Sequence, residues 1–155
     1  HFNSTEEMNE TLIANWNSKI KPSDMVFHMG DVAFATTDLA RPIIRRLNGN
    51  KYLCIGNHEK AALGCANEFI DIRDVRSVRV GDQRIFMSHY AHRVWDKSHH
   101  GVWHLYGHSH GSLPDDPNSL SFDVGVDCHN FFPLSFDEVK AIMDKKAFKP
   151  IDHHG

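Results

Sequence analysis

The chain has 155 residues, 41% hydrophobic and 24% charged, with a formal net charge of -3, values that suit one compact domain with a core of its own. The acidic balance and the lack of any Lys/Arg block argue against non-specific duplex nucleic-acid binding, which depends on neutralising phosphates; no run of 18 apolar residues offers a membrane span. Cys54, Cys65 and Cys128 have no CxxC spacing and read as small reduced hydrophobes of a cytoplasmic protein, and the polar start from His1 to Glu10 carries no signal-peptide pattern.

Ser4-Thr5-Glu6-Glu7 is a capping-box signature. Met8, Leu12, Trp16 and Ile20 follow at spacing four and predict one apolar helical stripe, ended by Lys21-Pro22. Met25–Met29 reads as a buried strand. Thr37 or Asp38 caps a second helix with Leu39, Ile43, Ile44 and Leu47 as its apolar face, closed by the Asn48-Gly49 turn. Tyr52–Ile55 is the next strand. Helix, strand, helix, strand implies parallel pairing through a crossover. A short helix is expected within Glu59–Ala66. Val75–Val80 and Arg84–Met87 flank Gly81-Asp82-Gln83 as a hairpin, so the sheet is expected to be mixed. An aromatic loop, 89–100, precedes a strand over Val102–Tyr106. A surface loop and a strand over Leu120–Val126 follow. Ser135-Phe136-Asp137-Glu138 is a second capping box, opening the last helix. Trp16, Phe69 and Phe86 are assigned to the core, Asp123 and Asp127 to turns. Asp152-His153-His154 follows a poor strand and reads as a tail.

Four apolar runs end in groups that can bind a divalent cation: His28-Met29-Gly30-Asp31, Ile55-Gly56-Asn57-His58-Glu59, Met87-Ser88-His89 and Tyr106-Gly107-His108-Ser109-His110. Strand ends are where an open α/β sheet places its ligands, and mixed O and N donors suit a hard-to-borderline metal. Taken singly, each residue has a plain explanation: Asp31 as a cap, Asn57 as a turn residue, His89 as an ordinary histidine, His108 and His110 as loop residues. The set, in this order, resembles the calcineurin-like metallophosphoesterases over nearly the whole chain.

The resemblance implies a single-domain α/β sandwich of mixed β-sheets flanked by helices, spanning residues 1–155. It implies hydrolysis of a phosphomonoester or phosphodiester, from a small-molecule or nucleotide-type substrate, by a metal-bound hydroxide held between two divalent cations (Mn, Fe, Zn or Mg). One cation would take Asp31, Asn57, His89 and His108, and the other would share Asp31 and use His110. His58 would be the general acid. Glu59 would tune the turn or His58. Arg93, four residues after His89, could meet a substrate phosphate, as could Asn57. The family's first Asp-x-His motif has no counterpart between His1 and Met29. The expectation is therefore a domain short of its first strand, with one well-furnished cation site and one poorly furnished. A metal-binding or partner-binding module without turnover is the alternative, and a nuclease is a weaker rival.

Overall fold

In the computed structural model, residues 2–31, 36–57 and 59–151 are described. In order, they form α1 (Thr5–Lys19), β1 (Met25–His28), α2 (Thr37–Arg46), β2 (Asn50–Cys54), α3 (Lys60–Gly64), β3 (Asp71–Arg73), β4 (Val75–Val80), β5 (Gln83–Ser88), β6 (Trp103–Tyr106), β7 (Ser121–Asp123) and α4 (Phe136–Asp144). The tail residues Asp152 and His154 lie outside the described residues. No helix among the described residues is long and apolar enough to cross a membrane.

Both serine caps open helices. Ser135 Oγ accepts from the Glu138 N–H at 3.2 Å and the Glu138 carboxylate accepts from the Ser135 N–H at 2.9 Å, a complete capping box. At α1 the Ser4 hydroxyl accepts from Glu7 N–H, but the Glu7 carboxylate reaches one residue further back, to Asn3 N–H. Trp16 and Ile13 bury the inner face of α1, and the Trp16 indole donates to Asn48 O at 2.8 Å, which anchors the turn before β2. In α2 the buried positions are Ala40 and Ile44. Leu39, expected on that face, is 64% exposed; the helix is turned so that its small residue packs closest. Met25 is likewise exposed, because β1 lies at a sheet edge rather than in its middle.

There are two sheets. The first has the order β1-β2-β3 and is parallel throughout. The second has the order β4-β5-β6-β7, with only the β4–β5 hairpin antiparallel. The mixed pairing expected from the hairpin is thus confined to the second sheet. Successive residues of β2 point to opposite faces: Leu53 packs with Ala40, Ile44, Ala62 and Phe69 under α2 and α3, while Cys54 joins Met29, Met87, Leu105 and Met143 in the core shared by the two sheets and α4. The result is an α/β sandwich of two sheets flanked by helices. The three cysteines are free thiols.

The outer face of β6 is covered by the loop over residues 89–101. Trp95 is buried there and donates its indole N–H to Val102 O. His104, with no exposed surface, donates from Nδ1 to Phe86 O at 3.0 Å and accepts at Nε2 from the His92 N–H at 2.9 Å. Desolvation lowers its pKa to about 4, against the opposing bond to Phe86. The unfolded chain takes up this proton below about 6.5, the folded chain only near 4. The stabilisation is therefore complete above pH 6.5 and lost as pH falls toward 4, on the order of 3 kcal/mol. His104→Gln should be less stable than the natural chain at pH 7.5, and denaturation midpoints measured from pH 7.5 to 4 should show that gap narrowing. A constant gap would contradict the linkage.

Candidate metal centre

Register brings the four strand ends together. His28 pairs with Leu53 in the β1–β2 ladder, which carries Gly30 and Asp31 alongside Ile55 and Gly56. Met87 pairs with Leu105 in β5–β6, and the Gly107 N–H donates to His89 O at 3.0 Å, which sets His89 beside His108. One hydrogen bond joins the two sheets at the site itself. The buried His89 donates from Nδ1 to the Met29 carbonyl at 2.7 Å. A carbonyl can only accept, so Nδ1 carries a proton, and in the neutral form of such a ring Nε2 is the nitrogen with the lone pair.

That Nε2 lies 2.8 Å from Asn57 Oδ1, 3.1 Å from His108 Nδ1 and 3.3 Å from Asp31 Oδ2. His108 Nδ1 is also 3.2 Å from Asn57 Oδ1. Donor atoms at about 2.1 Å from one ion stand about 3.0–3.4 Å apart at octahedral or tetrahedral angles, so these spacings fit the edges of a coordination polyhedron. Ligand atoms of Asp31, His89 and His108 all lie within 4.8 Å of one another, and among the described residues this is the group of three that could hold a metal ion. Two oxygens and two imidazole nitrogens, with one ring fixed by a backbone carbonyl, fit a divalent cation of the Mn–Zn series.

The backbone gives up regular geometry to deliver these groups. Asp31, His108 and His110 have φ of 56°, 66° and 50°, left-handed values uncommon for residues with a Cβ. The His-x-His segment therefore leaves strand geometry through the histidines themselves, followed by Gly111 at φ 78°, and not through Gly107. Gly56 also keeps an ordinary φ; its role is close approach, since a Cβ there would stand 2.5 Å from Asp31 Oδ1 and 3.0 Å from His89 Cε1. Glu59, buried, accepts from the Gly56 N–H at 3.2 Å and holds this turn.

Among the described residues, the remaining sequence candidates stand apart from this group. His58 lies outside the described residues. His110 pairs through Nδ1 with Asp127 Oδ2 at 2.7 Å, on an exposed rim. Asp123 accepts from the N–H groups of Gly111 and Gly125, a turn role. Arg93 is exposed on the loop after β5 and lines a cavity of about 550 Å³ with Trp95, Tyr106, Asn118 and Lys149. Three residues not singled out in the sequence shape the centre. His28 accepts from the Gly30 N–H, and desolvation, with His89 adding to it and Asp31 opposing, lowers its pKa to about 4. Met29 supplies the carbonyl for His89. Tyr90 packs its ring against both His89 and His108.

No family model matches the chain. An uncharacterised protein of Methanocaldococcus jannaschii is 27% identical over 151 residues, 93% of this chain and 80% of that protein. A solved protein of unknown function from Aquifex aeolicus superposes with a TM-score of 0.70 at 19% identity, over 92% of this chain and 87% of the other. An archaeal phosphodiesterase superposes with a TM-score of 0.53 at 22% identity, over 76% of this chain and 74% of the other. The chain shares the fold of these two solved structures, one of them a phosphodiesterase.

Gly30 has φ 105°, and a Cβ there would stand 2.5 Å from His89 Nδ1. Gly30→Ala should destabilise the fold by about 1–3 kcal/mol through strain and weaken Mn²⁺ binding. Gly81→Ala, with φ 59° but nothing within 4 Å, should leave Mn²⁺ affinity intact. Thermal unfolding with and without Mn²⁺ checks both.

Proposed function

We propose that this chain is a divalent-metal-dependent phosphoric ester hydrolase, acting on a phosphomonoester or phosphodiester of a small molecule or nucleotide. The observation that carries the reading is the aim of His89 Nε2, with the ring oriented by Met29 O, into the space faced by Asp31 Oδ2, Asn57 Oδ1 and His108 Nδ1. The likeness to a phosphodiesterase fold supports it. These four residues would hold the ion, with manganese a suitable choice, and a second ion would share Asp31 and use His110. When bound, such ions neutralise charge on phosphoryl oxygens and make water a stronger nucleophile near neutral pH.

The chain's own residues do the rest. Asn57, whose side chain is exposed, also meets the phosphoryl group, and Arg93 supplies a planar cation for phosphate oxygens. In the reaction a water oxygen bonds to phosphorus, giving up one proton to solvent, as the ester P–O bond breaks. His58 gives its proton to the leaving oxygen and recovers one from solvent. Asp127 holds the His110 ring by its Nδ1 proton. Three free thiols suit the reducing cytoplasm we assign to the chain.

The pairing of His110 with Asp127, outside the four-donor group, favours one other reading: a metal-binding module without turnover. Hydrolysis of bis-p-nitrophenyl phosphate with Mn²⁺, read together with bound metal, separates the two. The hydrolase reading predicts Mn²⁺-dependent turnover. It predicts that His108→Ala loses metal and turnover together, and that His58→Ala lowers turnover about 10²–10⁴-fold with metal retained. Bound Mn²⁺ without turnover would leave the module.

A further inference from the structure

Tyr90 follows His89 directly, yet its side chain is not part of the core. The residue is 50% exposed. Its centroid lies 4.8 Å from that of His89 at an interplanar angle of 77°, and 4.7 Å from that of His108 at 57°. It thus stands on the rim of the four-donor group, against two of its members, with the rest of the ring open to solvent. A tyrosine so placed offers an apolar ring face beside a polar centre, a combination enriched at binding interfaces.

The backbone that carries the ring is anchored. The Tyr90 carbonyl accepts from the Ser88 hydroxyl at 2.6 Å and from His92 Nδ1 at 3.1 Å. The His92 N–H in turn donates to the fully buried His104, which is tied to Phe86 O. A chain of hydrogen bonds therefore runs from the inside of the second sheet to the residue that presents the ring. Anchoring that backbone, with the ring packed on His89 and His108, lowers the ordering cost that binding would otherwise carry.

We infer that Tyr90 is a specificity-determining residue that stacks a planar aromatic group of the ester, as in a nucleotide, while the phosphoryl group sits at the donors beside it. This rests on the hydrolase reading and narrows its substrate class. Aryl and base stacking on an aromatic side chain is tolerant of which ring is stacked, so the preference should extend across bases and fail for esters without a ring.

The test uses adenosine 5′-monophosphate and ribose 5-phosphate, which share the same ester linkage and differ in the base alone. Calorimetric titration of the Mn²⁺-loaded chain should show the nucleotide binding roughly tenfold or more tighter. With Mn²⁺ held at saturation for each variant, Tyr90→Leu should bring the two affinities together and Tyr90→Phe should keep them apart, because the ring and not the hydroxyl does the stacking. Equal affinities in the natural chain, or a difference that survives Tyr90→Leu, would overturn the inference. So would Mn²⁺ binding with affinity for neither ester. Absence of Mn²⁺ binding, measured separately, would instead overturn the metal centre on which the inference stands.

Discussion

The hydrogen bond from His89 Nδ1 to Met29 O does two things at once. It joins the second sheet to the first at the end of both central ladders, and it sets which nitrogen of His89 faces the other donors. A neutral hydrogen bond of this kind is worth only about 0.5–1.5 kcal/mol net. Its weight lies in direction. If the ring were turned over about Cβ–Cγ, Cδ2 would face the Met29 carbonyl and Cε1, a carbon, would stand where Nε2 now faces Asn57, Asp31 and His108. A backbone carbonyl is a good clamp for that purpose because it cannot donate, so it admits one tautomer of the neutral ring.

Packing around that bond leaves little room. Gly30 and Gly56 sit where the two strand ends approach each other and His89, and any Cβ at either would overlap a donor residue. The left-handed backbone at Asp31, His108 and His110 is the accompanying strain, held by the ladders on either side and by the buried core of Met29, Cys54, Met87 and Leu105 beneath. Strain gathered at one sheet edge, over a well-packed core, is the pattern of a site shaped for a ligand.

Much of this was legible in the sequence because it is local. The two serine caps, the Gly81 hairpin and the parallel crossover follow from short patterns, and the four apolar runs ending in donors mark the sheet edge. What escaped was set by tertiary contact. Leu39 is exposed and Ala40 buried because the rotation of α2 is decided by how closely it packs on β2. The roles of Met29, Tyr90 and His104 depend on which strand lies next to which, and a one-residue change of register would replace each of them. His110 meets Asp127 because the turn after β7 folds back toward it, which spacing alone does not reveal.

The central claim is that Asp31, Asn57, His89 and His108 form one divalent-cation site. Anomalous diffraction from a crystal grown with Mn²⁺ tests it most directly. The account predicts a peak in contact with Asp31 Oδ2, Asn57 Oδ1, His89 Nε2 and His108 Nδ1, each about 2.0–2.3 Å away. A peak elsewhere, or none at these four atoms, would contradict it.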